Sequence, residues 1–320
     1  MKSAKWPVAG LLFASPLIGE YLLGSLPASM IALLPLMMAM YGAGAILIRE
    51  VVRATGGGWA SIVLLATAYG LLEEGFITQS LFNPDYLHLR LLDFGFLPAL
   101  GTALPWALFV VSIHVVWSIT IPIAMIESAF PAQRDRPWLG KWGRAGYALV
   151  FVAGATLIAV FSYRQVPFIA SPAQWGVTGA LIVALCVVAV KLPKPEAVPS
   201  TGAPRGLVLF LTSFLAGSAY LLAGRRAEKV WHLDWLQVVA LSIGVEALFV
   251  ALVFAWTRGG RWDERRRFAL MAGGFLVYAW IGFETDISLH GRADLAGHAL
   301  LATLLCAALG LIGLRTARSR

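Results

Sequence analysis

Two adjacent carboxylates, Glu73 and Glu74, lie in the apolar stretch Tyr-Gly-Leu-Leu-Glu-Glu-Gly-Phe-Ile-Thr-Gln-Ser-Leu-Phe-Asn-Pro, residues 69–84, and a histidine, His114, lies in the apolar stretch that follows. A charge at the centre of a hydrocarbon layer costs about 3 kcal/mol or more, so such groups are neutralised, paired or turned toward a cavity. Each residue of a helix advances ~1.5 Å, which puts Glu73 ~14 Å and His114 ~15 Å from the same membrane face. The two sit at one level on neighbouring antiparallel helices. A desolvated carboxylate beside an imidazole suits general base catalysis on a water, with the imidazole donating to a developing oxyanion; it suits a proton relay equally well.

The two glutamates leave the helix about 100° apart, so they do not reach one small site without help. On the following span Ser118 shares a face with His114, and Pro122 cannot donate to the Ser118 carbonyl, which predicts a kink and a free acceptor near the ring. Glu20 in the first span and Glu246 in the eighth are two further intramembrane carboxylates. Taken singly they read as hydrogen-bonded structural groups. If Glu20, Glu73 and Glu246 converge, the bundle encloses a polar cavity. Glu74 reads equally well as a packing partner of Glu73.

The elements that position these residues follow from hydropathy. The chain has 320 residues, of which 59% are hydrophobic and 13% charged, and a mean hydropathy of +0.78, well outside the composition of a soluble domain. The pattern predicts an all-α, polytopic transmembrane helical bundle of about ten spans: 7–27, 31–48, 59–82, 103–128, 145–163, 174–192, 206–223, 235–256, 267–284 and 297–314. Helices are required because open strands leave backbone groups unsatisfied in lipid. With the N-terminus inside, 19 of the 25 Lys and Arg residues fall in cytoplasmic segments and 6 outside, which predicts both termini in the cytoplasm and a multi-pass protein of the cell membrane. The first span fits this count as a retained helix rather than a cleaved signal peptide.

The segment Leu192-Pro-Lys-Pro-Glu-Ala-Val-Pro-Ser-Thr-Gly-Ala-Pro204 cannot continue a helix. It divides a six-span region, 1–192, which contains the Glu73 and His114 centre, from a four-span region, 205–320, by a linker at 193–204. The loop from Phe130 to Gly143 carries Trp138 and Trp142 among basic residues, the composition of a segment at headgroup level. The net charge of +8 resides at span ends, where orientation and anionic lipid explain it, so nucleic acid is not an expected partner. Cys186 and Cys306 lie within apolar spans without metal-ligand spacing. The spacing of residues implies no metal and no cofactor.

Two glutamates in a membrane helix followed one span later by an intramembrane histidine resemble the CPBP family, the CAAX proteases and bacteriocin-processing enzymes. The resemblance covers residues 59–128. That family's pattern places Arg four positions after the second Glu, where this chain has Thr78, and a Phe four positions before the His, where Phe109 lies five before His114. Its third motif, His-x-x-x-Asn or Asp, has a counterpart here at His290 and Asp294 alone. The resemblance implies an intramembrane endopeptidase in which Glu73 activates water, His114 donates to the oxyanion, and the substrate is a membrane-embedded peptide. Two other classes compete: a proton- or cation-coupled transporter using Glu73, Glu246 and Glu20, and a non-catalytic scaffold whose polar groups hold helices together. The bilayer is the one partner all three share.

Overall fold

A computed structural model describes residues 4–193, 204–258 and 262–318. The described residues form a bundle of ten helices: α1 (Lys5–Pro16), which runs on as a π-helical turn over Leu17–Leu22, α2 (Ala28–Thr55), α3 (Trp59–Ile77), α4 (Leu104–Ala129), α5 (Lys141–Gln165), α6 (Pro172–Lys191), α7 (Gly206–Trp231), α8 (Trp235–Arg258), α9 (Glu264–His290) and α10 (Leu295–Arg318). Nine of them, α2 to α10, are long and apolar enough to cross a membrane among the described residues. α1 with its π turn corresponds to the first expected span and falls outside those nine. The only sheet among the described residues is a small hairpin, β1 (Phe96–Leu97) with β2 (Thr102–Ala103), paired antiparallel with Phe96 opposite Ala103.

The bundle has an inside and an outside. In α2, α3, α4 and α9 between 50% and 56% of the apolar window is buried, against 11% to 33% in α5, α6, α7, α8 and α10. The first set is the core of the bundle, and the second presents apolar surface to lipid, as a helix that is hydrophobic all round must. All of the intramembrane carboxylates named above except Glu246 sit on the inner helices or on α1. Close approach of backbones is built from glycine: a Cβ on Gly42 of α2 would meet the Leu12 carbonyl of α1, and one on Gly282 of α9 would meet the Leu22 carbonyl. Small residues at such crossings allow the van der Waals packing on which membrane helices depend. Gly42→Ala is expected to force α1 and α2 apart and to cost about 1–3 kcal/mol. A wild-type melting temperature in detergent for this variant would refute the tight crossing.

At the end of the bundle that carries the basic loops, the segment Phe130 to Gly143 does not lie along a headgroup surface throughout. Trp142 is exposed, as expected, but Trp138 is buried and its ring lies under the Arg49 guanidinium, 3.4 Å from the centroid. Arg49 is fully buried. It donates to Glu50 Oε1 at 2.7 Å, to Glu127 Oε1 at 3.1 Å and to the carbonyls of Gln133, Arg134 and Arg136 at 3.2, 2.7 and 2.9 Å. Glu50 in turn accepts from the amides of Trp138 and Leu139, each at 2.8 Å, and Arg53 donates to both oxygens of Glu127. Arg49 and Arg53, read from sequence as flanking charges, are therefore the clamp that folds this loop onto α2 and α4.

The linker expected at 193–204 falls, for residues 194–203, outside the described residues. On either side of it the two regions pack together: α9 lies against α4, where Trp117 Nε1 donates to the Gly274 carbonyl at 2.8 Å and stacks on Tyr278 at 4.6 Å.

Candidate functional site

Among the described residues four turns of wider, π-helical winding occur, and each carries polar residues that meet at one place. They are Leu17–Leu22 with Glu20, Met38–Gly42 with Tyr41, Glu73–Ile77 with both glutamates, and His114–Thr120 with His114 and Ser118. π turns are rare and concentrate at functional sites. Three of these lie near a proline, Pro16, Pro35 or Pro122, and of the three only Pro122 removes the donor to a carbonyl inside its π turn, that of Ser118. The fourth sits at the end of α3, which stops at Ile77, seven residues short of Pro84.

That early stop corrects the expectation that α3 runs to residue 82. Thr78 Oγ1 donates to Glu74 Oε2 at 2.9 Å, and Ser80 Oγ donates to the same oxygen. The backbone reverses between them through Gln79 at φ 58°. Glu74 thus satisfies itself by bending its own chain, and Ser80, fully buried, also accepts from Trp106 Nε1 at 3.2 Å. Residues 78–103 run through turns, a short 3-10 turn at Tyr86–His88 and the β1–β2 hairpin, with further left-handed residues at Leu87, His88 and Arg90.

The imidazole of His114 resolves the divergence of the two glutamates by standing between them. Its Nε2 is 2.7 Å from Glu74 Oε1, and its Nδ1 is 3.3 Å from Glu73 Oε2 and 3.3 Å from Ser118 Oγ. Glu73 Oε1 accepts from the Tyr41 hydroxyl. Glu73, Glu74 and His114 are 2%, 6% and 4% exposed, so the interactions among them are screened less than those of surface charges. Tyr41 and Tyr69 flank the ring with centroids 5.9 and 6.1 Å away. Gly70, one turn before Glu73 on α3, leaves room for the His114 Cβ. Two polar atoms in this shell have no hydrogen-bond partner among the described residues: Glu73 Oε2 and the Tyr69 hydroxyl.

The other residues singled out from sequence divide cleanly. Glu20 is partly buried, accepts from Ser25 Oγ at 2.6 Å and lies within electrostatic reach of Tyr41, His114 and Glu74, so it belongs to this centre. Glu246 does not. It accepts from Ser112 Oγ, and Ser112 lies two positions before His114, about 200° around α4 on the opposite face. The convergence of Glu20, Glu73 and Glu246 is thereby corrected to Glu20, Glu73 and Glu74. The free acceptor expected at the Ser118 carbonyl is also corrected: Ser15 Oγ of α1 donates to it at 2.6 Å. Ser15→Ala is expected to leave that carbonyl buried and unpaired at a cost of about 1–3 kcal/mol, readable as a lowered unfolding midpoint in detergent; an unchanged midpoint would mean that another donor replaces it.

Sequence reasoning missed Tyr41, which carried a signal, a lone hydroxyl within the otherwise apolar run Pro-Leu-Met-Met-Ala-Met-Tyr-Gly. Helical spacing puts Ser80 on the face of Glu73, whereas the early end of α3 turns it to Glu74. Among the described residues Glu73, Glu74 and His114 also form a group able to offer a cation one ligand atom each, all within 4.8 Å of one another. Their sequence spacing hides this because two helices contribute.

His290 and Asp294, the counterpart of the third CPBP motif, lie elsewhere. Asp294 accepts from the amides of Ala28 and Ser29, and His290 Nε2 is 3.1 Å from the Ser25 carbonyl. They fasten the turn between α9 and α10 to the first residues of α2 and to Ser25 before it. No curated protein and no solved structure matches the chain. The family model that does match is not that of the CPBP peptidases. It covers residues 11–314, nearly the whole chain, and on that match this multi-pass membrane protein belongs to an uncharacterized membrane protein family.

Proposed function

We propose that the chain is an intramembrane hydrolase of the cell membrane, acting on a membrane-embedded peptide through a water activated at Glu73. The observation that carries this reading is the state of Glu73: one oxygen held by Tyr41, the other unpartnered and facing the ring of His114 in a shell that excludes bulk water. A carboxylate so placed takes a proton from a water as that water attacks a carbonyl carbon. The proton then passes to the leaving amine, and the chain is cut with one water consumed. Glu74, bound to the opposite ring nitrogen, holds His114 in one orientation, as the acid of a catalytic triad holds its imidazole. In this reading residues 78–103 are the cover that moves to admit substrate; their left-handed residues store the strain that such segments carry.

The test is reconstitution of the full chain in proteoliposomes with a panel of single-span peptides, products being identified by mass spectrometry. New peptide termini that require Glu73 support the reading. No cleavage of any panel member, combined with proton uptake that requires Glu73, would replace it with the second reading.

That second reading is proton-coupled transport. It is favoured by the run of polar contacts Ser25, Glu20, Tyr41, Glu73, His114, Glu74 and Ser80 across four helices whose winding is interrupted at the same level. Interrupted helices at a polar centre are a feature of transporters.

A further inference from the structure

The contact between Glu73 and His114 is not a hydrogen bond. Glu73 Oε2 and His114 Nδ1 are 3.3 Å apart, yet Glu73 Oε2 has no hydrogen-bond partner among the described residues. On the other side of the ring, Nε2 lies at 2.7 Å from Glu74 Oε1. Nε2–H donates to a carboxylate at that distance, and in the neutral ring Nδ1 is then an acceptor turned toward a second acceptor. Two lone pairs facing one another inside a protein are joined either by a proton on one of them or by a cation between them.

We propose that Glu73 and His114 Nδ1 ligate a divalent cation of the zinc type, with Glu74 as the outer carboxylate that fixes the ring. The separation fits: ligand atoms bound at about 2.0–2.1 Å around a tetrahedral zinc stand about 3.3–3.4 Å apart. The arrangement of carboxylate, imidazole and metal, with the carboxylate on the nitrogen away from the metal, is the one that orients metal-binding histidines generally. Ser118 Oγ, 3.3 Å from Nδ1, and the unpartnered Tyr69 hydroxyl border the same space and supply neutral oxygens to the ion or to a water upon it. Glu74 remains within 4.8 Å of the other two donors, near enough to enter the coordination sphere by a carboxylate shift. Burial of all three residues keeps competing water away. Thiolate is absent from the set, and a mixed oxygen and imidazole shell suits zinc or manganese over copper(I).

The inference goes beyond the hydrolase reading: a bound cation would lower the pKa of the attacking water and so take over the activating role given above to the free Glu73 oxygen, but its test does not depend on that reading. The full chain is purified in detergent and stripped with a chelator. It is then titrated with zinc by calorimetry and with cobalt(II) by visible absorption, folding being checked by thermal unfolding. One equivalent per chain is expected, with tetrahedral cobalt(II) bands. Glu73→Gln and His114→Ala should each abolish the stoichiometric site. Glu74→Gln should keep it with affinity weakened about 10–100-fold, the behaviour of an orienting partner. Failure of the wild-type chain to bind either ion, or equal binding by Glu73→Gln and His114→Ala, would overturn the proposal. Cleavage by a chain that binds no metal would defeat the metal site and leave the hydrolase. Binding without cleavage of any peptide would leave the metal site and defeat the hydrolase.

Discussion

Glu73→Gln is expected to reduce peptide hydrolysis by about 10²–10⁴-fold, the range that a positioned general base contributes, while leaving the fold in place. The substitution preserves shape and keeps a carbonyl oxygen for the Tyr41 hydroxyl, so the Tyr41 contact survives and the basicity goes. Tyr41→Phe separates the two roles of that contact. It removes the donor to Glu73 Oε1 without opening a cavity, and a smaller loss than that of Glu73→Gln follows if Tyr41 merely positions the carboxylate. The measurement is the initial rate of product release in proteoliposomes, with the unfolding midpoint of each variant as a control. Equal rates for wild type and Glu73→Gln would remove Glu73 from the chemistry altogether and leave it as one polar group in a proton path or a helix contact.

Arg49→Ala carries the largest expected loss of stability, about 3–5 kcal/mol, because removing one partner of a buried ion pair strands the others. Arg49 answers Glu50, Glu127 and three loop carbonyls at once, and Glu127 would keep only Arg53. Arg49→Lys is expected to recover little, since a single ammonium cannot reproduce the planar fork that bonds in several directions and stacks on Trp138. Arg53→Ala should cost less than Arg49→Ala: among the described residues Arg53 donates to Glu127 and the Gly57 carbonyl and lies over the Trp59 ring at 5.6 Å from its centroid. Thermal unfolding in detergent and limited proteolysis of residues 130–140 read both predictions. An Arg49→Ala chain as stable and as protease-resistant as wild type would show that the buried ion cluster is dispensable to the loop.

The two predictions address opposite ends of one bundle, and they were unequally visible in the sequence. Apolar windows about twenty residues long, separated by charged or proline-bearing segments, determined the ten helices, because lipid leaves the backbone no other way to satisfy itself. The same regularity determined depth. Helical rise alone put Glu73 and His114 at one level, and they lie 3.3 Å apart.

Only the tertiary structure decided which polar groups meet. The partners of the centre are 32 residues apart for Tyr41 and Glu73 and 40 for His114 and Glu74, and the clamp at the basic end joins Arg49 to Glu127 across 78. Hydropathy assigns a residue to a span but not to a side of it. The side a residue faces is fixed only when the helices pack against one another, and in α1 to α4 it is shifted further by their π turns. Glu246 shows the consequence, deep in a span like Glu73 yet turned by one helix face toward Ser112 and away from the centre. Arg49 shows it at the other end. Charge counting reads it as a solvated flank, whereas Glu50 and Glu127, which the same counting ignores, draw it inside, where three carboxylate oxygens and four carbonyls replace water around the two arginines.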